Sequence, residues 1–121
     1  MAEEIRLSPI GRVRSRGGQG PKEIEIEPEF AEALDGVDAQ EHLWLLYWMH
    51  ELPPEDRRRL KTHPRGDRSR PKQGVFSLHS PCRPNPIGMT RVRLVGRTAT
   101  RLVVQDLDAL DGSPVLDIKS G

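Results

Sequence analysis

Apolar and polar residues alternate over several stretches of this chain with the two-residue period of β-strands. Residues 23–27 give the clearest case, because two isoleucines share one face and three glutamates share the other. Looser alternation over residues 5–15, interrupted near Pro9, predicts another strand. Residues 43–49 are apolar without a break, which predicts a central strand buried on both faces.

The rest of the chain contains short apolar runs separated by glycine, proline and polar residues. We predict strands at residues 74–78, 89–95, 102–105 and 114–118. The middle two would pair as an antiparallel hairpin, and Asp111 with Gly112 would form a tight turn. Helix is limited to a short segment at 28–34, whose first turn suits Pro28, and to a single turn near 55–61.

About seven short strands with so little helix indicate a mainly β protein, either a small antiparallel barrel or a sandwich. The 121 residues are enough for one domain, residues 1–121, with a single core. Gly17, Gly18 and Gly20 lack the strand–turn–helix context of a dinucleotide-binding motif. The pattern therefore disfavours a Rossmann fold.

Composition narrows the class of protein further. Apolar residues make up 35% and charged residues 31% of the sequence, so we expect a lean core supported by oligomerisation or by a ligand. Cys82 is the only cysteine, which excludes an intramolecular disulfide and a cysteine-based zinc site. No apolar run approaches the roughly 20 residues of a membrane span, and the acidic N-terminus lacks the features of a signal peptide. We therefore expect a cytoplasmic location.

Charge is distributed unevenly along the chain, although the net charge is only +1. Residues 57–72 contain eight lysines and arginines and one acid, Asp67. Such a segment suits a polyanion such as RNA, and it equally suits a solvated loop. The sequence leaves both alternatives open.

Residues 74–88 contain the most unusual local pattern, in which three prolines restrict the backbone and Gly88 allows a turn before the next strand. A stiff loop of this kind loses little entropy on ordering and would hold Arg83 and Asn85 in fixed directions. The segment is therefore either a site that presents a cation and an amide or a proline-rich connector.

Two motifs connect the sequence with a known family. The first is SPCRPNPIG at residues 80–88, preceded by GVF, and the second is LDALDGSPVLDIK at residues 107–119. Further matches lie at 9–11, 41–44 and 47–51. Over almost its whole length the sequence resembles the TsaA-like or TrmO family of S-adenosylmethionine-dependent tRNA methyltransferases. The resemblance implies a single-sheet β-barrel that binds S-adenosylmethionine without a Rossmann fold.

The resemblance also implies where the cofactor binds. His79 stands where the family usually has arginine, so a permanent cation is not expected at this position. Three acids within residues 106–111 also suggest a metal, but their spacing lacks the pattern of calcium loops and no paired histidines follow, so we expect none. The positions that the resemblance assigns to S-adenosylmethionine are Gly18, Gln19, His50, Glu51, His79, Met89, Asp108, Ala109, Leu110 and Asp111.

The family's acceptor is the N6 nitrogen of a threonylcarbamoyl-modified adenosine next to the tRNA anticodon. By analogy with other N6-adenine methyltransferases, the Asn85 side chain and the Pro86 carbonyl would accept hydrogens from this amine. Alternatively, Asn85 stabilises only its own loop. Arg83 would grip a phosphate or the carboxylate of the modification. The residues expected to bind RNA are Arg57, Arg58, Arg59 and Lys61.

Two expectations concern the assembled protein. Small size, few aromatic residues and the resemblance together imply a homodimer with the cofactor pocket near the subunit boundary. The family's last motif continues past Lys119 with Pro-Tyr and an extended tail that this sequence lacks, so we expect contacts with tRNA or between subunits to differ. The alternative function is a non-catalytic barrel module that binds S-adenosylmethionine or RNA without turnover.

Overall fold

Six antiparallel strands close into a β-barrel in the computed structural model, which describes residues 3–121. The order of strands around the barrel is β1-β2-β7-β6-β3-β8, and a separate two-stranded sheet pairs β4 with β5. Residues 1 and 2, which we assigned to the domain and to its acidic N-terminus, lie outside the described residues. The strands are β1 (Gly11–Arg14), β2 (Lys22–Ile26), β3 (His42–Trp48), β4 (Lys61–Thr62), β5 (Gln73–Gly74), β6 (Ile87–Arg97), β7 (Arg101–Gln105) and β8 (Pro114–Ser120).

The prediction of a mainly β, single-sheet barrel is confirmed, with six strands in the barrel rather than about seven. Its helical content consists of short 3₁₀ turns, of which Pro28–Leu34 is the longest and matches the predicted helix. The predicted turn near 55–61 is the 3₁₀ helix Pro54–Arg58. The other 3₁₀ turns are Val37–Ala39, Pro64–Gly66 and Val75–Ser77.

Strand β3 lies in the barrel wall between β6 and β8. Leu43, Leu45 and Tyr47 point into the core and are buried, whereas the residues between them are only partly buried. The predicted strand is therefore confirmed, but burial on both faces is wrong. In an antiparallel barrel each strand has one face toward the core and one toward the outside, so even an apolar run alternates in burial.

Aliphatic side chains from all the barrel strands fill the interior. Each fully buried valine, leucine or isoleucine contributes about 1.5–3 kcal/mol through removal of its surface from water. Gly11 lies so close to the backbone carbonyl of Glu25 on β2 that a Cβ would overlap it. Within the barrel strands, the side chains with no exposed surface are Val13, Ile24, Leu45, Val92, Leu102, Val104 and Val115.

Two predicted strands differ from the structure. The strand predicted at 5–15 is limited to Gly11–Arg14. The strand predicted at 74–78 is wrong, because pairing ends at Gly74 and the chain turns through Val75–Ser77. The Ser77 hydroxyl donates to the Gly74 carbonyl at 2.7 Å and so closes this turn, which leaves Phe76 80% exposed.

The predicted hairpin is confirmed as β6 and β7, whose register shifts between Leu94 and Gly96. The predicted turn at Asp111 and Gly112 is also present, with Gly112 at a φ of 82°. Within residues 3–121 there is no helix long and apolar enough to cross a membrane.

Candidate functional site

A cavity of about 950 Å³ lies where the end of β3 meets the start of β6. Its volume is at the upper end of the range for small-molecule sites. Its walls come from three separate stretches of the chain: the end of β3 with the residues after it, the loop and strand at 76–90, and the segment 108–113. Nine of the predicted site residues line it: His50, Glu51, His79, Arg83, Asn85, Met89, Asp108, Ala109 and Leu110.

Antiparallel pairing of β3 with β6 explains why these stretches meet. Trp48 pairs with Ile87, Tyr47 with Gly88 and Leu46 with Met89, so the last residues of β3 lie beside the first residues of β6. The residues that follow β3 and the proline loop that precedes β6 consequently emerge at the same place. His50 and Glu51 are thereby brought close to the loop that carries Arg83 and Asn85.

Gly88 determines how the Tyr47 ring lies across β6. The residues are direct cross-strand partners, and a Cβ at position 88 would overlap the phenol ring. Glycine thus lets the ring and its hydroxyl lie against the backbone of β6. The Tyr47 residue is only 6% exposed, so this packing holds the hydroxyl in place.

The Tyr47 hydroxyl belongs to a three-residue hydrogen-bonded group in the cavity wall. It donates to Oδ1 of Asp108 at 2.7 Å, and the Thr90 hydroxyl donates to the same oxygen at 2.9 Å. The two hydroxyl oxygens are 3.4 Å apart. Two donors on one oxygen fix the orientation of the carboxylate, while its second oxygen is left for other partners.

Burial and hydrogen bonding set the protonation states of this group. Burial raises the pKa of Tyr47 to about 12, and the hydrogen bond to Asp108 and its negative charge act in the same direction. Burial acts to raise the pKa of Asp108, but the hydrogen bonds from Tyr47, Thr90 and the residue's own backbone, together with the positive charge of Lys22, outweigh it and lower that pKa below its usual value. At neutral pH the phenol is therefore a neutral donor and Asp108 is a carboxylate.

The proline loop is held by hydrogen bonds as well as by its prolines. Nη1 of Arg83 donates to the carbonyls of Leu78 and Ser80 at 3.0 and 2.9 Å. The Ser80 hydroxyl in turn accepts the Cys82 N–H at 3.1 Å. Part of the Arg83 guanidinium thus braces its own loop, so the predicted catalytic arginine also has a clear structural role.

Asn85 and Pro86 have different environments. Asn85 is exposed at the cavity, but Pro86 is buried and its carbonyl accepts the Met49 N–H at 2.8 Å. This bond continues the β3–β6 pairing by one step. Strand pairing therefore engages one lone pair of the Pro86 carbonyl, and the expectation that this carbonyl accepts a hydrogen from the amine stays a prediction.

Three of the predicted cofactor residues do not line the cavity: Gly18, Gln19 and Asp111. The β1–β2 loop that carries the first two is nevertheless tied at both ends to residues 109–111, of which Ala109 lines the cavity. Oδ1 of Asp111 accepts the Ser15 N–H at 2.9 Å, and Nζ of Lys22 donates to the Ala109 carbonyl at 2.7 Å. Their assignment to the cofactor stays a prediction.

The four cations that we expected to bind RNA do not form a uniform surface. Nε of Arg57 donates to the Pro84 carbonyl at 2.8 Å, and its guanidinium lies 5.3 Å from the centroid of the Trp48 ring. Arg59 pairs with Asp56 at 2.9 Å. The Arg58 and Lys61 residues are exposed, as is most of the basic segment that follows. The expected cations therefore include one that is engaged with the proline loop.

Residues 3–121 contain no group of three histidine, cysteine or acidic side chains close enough together to hold a metal ion. The acids of segment 106–111 illustrate this, because Asp108 faces Tyr47 and Asp111 faces the β1–β2 loop.

Tyr47 and Thr90 belong to the site but were missing from the sequence-based set. Tyr47 lies within an apolar run that predicts only a strand, and Thr90 lies within another strand. The one local signal is Gly88, a glycine at the start of a strand, which often marks close approach of another group.

Comparison of the sequence with known proteins identifies the family of this chain. The family model for the N-terminal domain of tRNA-methyltransferase O matches residues 12–120. A "Probable S-adenosyl-L-methionine-binding protein" of Methanothermobacter thermautotrophicus is 43% identical, with 96% of this chain and 89% of the relative covered. An "S-adenosyl-L-methionine-binding protein" of Archaeoglobus fulgidus is 39% identical, with 93% and 86% covered.

Solved structures give the same relationship. TrmO from Pseudomonas aeruginosa superimposes with a TM-score of 0.76 at 33% identity, over 98% of this chain and 56% of that one. A second TrmO crystal structure gives 0.78 at 35% identity, over 98% and 58%. This chain thus spans a little over half the length of the solved TrmO chains. The resemblance drawn from the two motifs is confirmed: the chain belongs to the TrmO family, through the N-terminal domain of tRNA-methyltransferase O.

Proposed function

We propose that this protein binds S-adenosylmethionine in the 950 Å³ cavity and transfers its methyl group to N6 of a threonylcarbamoyl-modified adenosine next to a tRNA anticodon. The observation that carries the proposal is the meeting of the SPCRPNPIG loop with the segment 108–110 in one cavity. The names of the relatives support the cofactor, and membership of the TrmO family supports the reaction.

The chemistry of the cavity fits S-adenosylmethionine. This cofactor supplies an electrophilic methyl group on a positively charged sulfur, and it needs apolar contacts with a few fixed polar groups. Met49, Met89 and Leu110 provide apolar walls, and Asp108 provides a fixed negative charge. His50 and Glu51 add polar groups at the end of β3.

The acceptor amine would meet Asn85 and Arg83. Because its lone pair is delocalised into the adenine ring, the amine needs a positioned acceptor for its hydrogens. The exposed Asn85 amide oxygen is suited to this role, whereas the Pro86 carbonyl already accepts the Met49 N–H and would contribute only through its second lone pair. The part of the Arg83 guanidinium that does not brace the loop would bind the carboxylate of the modification.

The body of the tRNA would lie along the basic segment that begins at Arg58. Arg58 and Lys61 are exposed to solvent, so their charges can contact phosphates. Arg59 contributes less, because Asp56 already neutralises part of its charge. Arg57 instead donates a hydrogen bond to the Pro84 carbonyl of the proline loop.

A second copy of the chain would cover the open side of the cavity. Large apolar residues at its margin are exposed: Phe76 by 80%, Leu110 by 54% and Met89 by 49%. Exposed apolar residues grouped in this way are typical of an interface. Phe76→Glu is therefore expected to shift the protein from dimer to monomer in light scattering at micromolar concentration. A wild-type protein that is monomeric under these conditions while it binds the cofactor tightly would contradict the dimer.

Transfer of labelled methyl groups to bulk tRNA tests the proposed function. Wild-type protein should label tRNA from a strain that makes threonylcarbamoyl-adenosine and should leave tRNA from a strain without this modification unlabelled. A second candidate, a module that binds S-adenosylmethionine without turnover, is favoured by the relatives named as binding proteins. It predicts cofactor binding in calorimetry with no label on either tRNA.

A further inference from the structure

We propose that Tyr47 and Thr90 are positioning residues that aim the Asp108 carboxylate at the sulfur of the cofactor and so favour S-adenosylmethionine over its demethylated product, S-adenosylhomocysteine. The inference rests on the proposed function, since it assumes that the cavity binds this cofactor. It adds a role for Tyr47 and Thr90, which lie outside the two motifs. It also separates the roles of two acids, because Asp108 would meet the cofactor and Asp111 holds the β1–β2 loop.

Two residues of the barrel strands hold the Asp108 carboxylate in one orientation. The Tyr47 ring is held against Gly88, and its hydroxyl reaches Oδ1 of Asp108 at 2.7 Å. Thr90, two residues after Gly88 on β6, donates to the same oxygen at 2.9 Å. One oxygen is therefore engaged by two neutral donors from the barrel wall, and Asp108 lines the cavity, so the inference assigns the other oxygen to the ligand.

The charge on Asp108 is retained rather than cancelled. Its lowered pKa keeps the carboxyl ionised, and the raised pKa of Tyr47 keeps the phenol a donor at neutral pH. None of the ion pairs recorded within residues 3–121 includes Asp108. Lys22, the cation whose charge acts on it, donates to the neighbouring Ala109 carbonyl.

A fixed carboxylate distinguishes the two molecules by charge alone. Both carry the same adenosine and the same amino-acid end, and they differ by the methyl group and by the positive charge on sulfur. Met49, Met89 and Leu110 would lie against a bound ligand and reduce its contact with water, which strengthens attraction between the carboxylate and a sulfonium. A carboxylate aimed at the amino-acid end or the ribose would treat the two molecules alike.

Isothermal titration of both ligands against matched variants tests the inference. Asp108→Asn keeps the shape and removes the charge, and it is expected to weaken S-adenosylmethionine by about tenfold or more while S-adenosylhomocysteine changes by less than about threefold. Tyr47→Phe and Thr90→Val each remove one hydroxyl at nearly constant volume. Each should lower the ratio of S-adenosylmethionine affinity to S-adenosylhomocysteine affinity by about two- to fivefold. Thr90→Ser keeps the hydroxyl and should retain the wild-type preference.

The outcomes separate this inference from the proposed function. A wild-type protein that binds neither ligand overturns both. Binding of both ligands with an equal loss in Asp108→Asn, or with no loss, overturns the inference alone. Unfolding curves of the variants are recorded first, and if Asp108→Asn does not fold, the comparison of Thr90→Val with Thr90→Ser decides in the same way.

Discussion

The guanidinium of Arg57 lies over the indole of Trp48, 5.3 Å from the ring centroid, and through Nε it also holds the Pro84 carbonyl at 2.8 Å. One side chain thereby joins the end of β3 to the proline loop that carries Arg83 and Asn85. The charge run at 57–61 consequently contains two kinds of cation, one that shapes the cavity and others that face solvent.

Single substitutions should separate these two kinds of cation. Arg57→Ala is expected to slow methyl transfer at saturating tRNA by about ten- to a hundredfold, because the loop loses its tie to Trp48 and the acceptor is misplaced. Arg58→Ala, one residue away, should weaken tRNA binding and lower the slope of log affinity against log salt by about 0.7–0.9. Steady-state kinetics and binding at several salt concentrations measure both effects. A purely electrostatic change in Arg57→Ala would contradict the structural role of this residue.

Gly88→Ala should destabilise the protein. The new methyl group would overlap the Tyr47 ring and force it away from β6, at a cost of about 1–3 kcal/mol in the free energy of unfolding. Gly96→Ala on the same strand is the matched control, since its Cβ would meet Val103 at an ordinary 3.7 Å. Urea unfolding measures both variants. Equal stability of the two would mean that the ring moves aside without cost.

Asp111→Ala tests the link between the β1–β2 loop and the segment 108–111. Loss of the acceptor for the Ser15 N–H should lower the free energy of unfolding by about 0.5–1.5 kcal/mol. We also expect weaker binding of S-adenosylmethionine, by about 1–3 kcal/mol if Asp111 itself accepts a hydrogen bond from the cofactor. Asp111→Asn retains an acceptor oxygen and serves as the control for the Ser15 bond. Unchanged affinity in a well-folded Asp111→Ala would remove this residue from the site.

Tyr47 provides a pH-dependent signal that no other residue can obscure, because it is the only tyrosine. Its folded pKa, raised from 10.0 to about 12, lies above the unfolded value, so its contribution to stability is complete below pH 10 and is lost as pH rises toward 12. Absorbance of tyrosinate during alkaline titration should show this high pKa in the native protein. Tyr47→Phe should lose less stability over the same pH interval. A native titration near 10 would contradict the buried, hydrogen-bonded phenol.

Much of the barrel was predictable because its strands obey a local rule. Alternation marks Lys22–Ile26, and the long apolar run marks His42–Trp48, since both patterns follow from the two-residue period of a strand. The segment 74–78 has equally apolar residues but turns at Val75–Ser77. Side-chain bonds such as that of Ser77 to Gly74 decide that turn, and such bonds leave no periodic trace in the sequence.

The site was predictable only where its residues lie in motifs. Asp108 and Asn85 stand in recognisable strings, whereas Tyr47 and Thr90 become partners of Asp108 only through the register of β3 against β6. The same register pairs the Pro86 carbonyl with the Met49 N–H, a partner that the Asn-Pro dipeptide alone does not indicate. Long-range pairing of this kind cannot be read from local composition.

Mass spectrometry of nucleosides from treated tRNA tests the central claim most directly. Wild-type protein with methyl-labelled S-adenosylmethionine should convert threonylcarbamoyl-adenosine into a product heavier by one labelled methyl group on N6. Asn85→Ala should bind the cofactor with wild-type affinity and form little of this product. Tight cofactor binding by the wild-type protein, with threonylcarbamoyl-adenosine left unmodified, would contradict the claim.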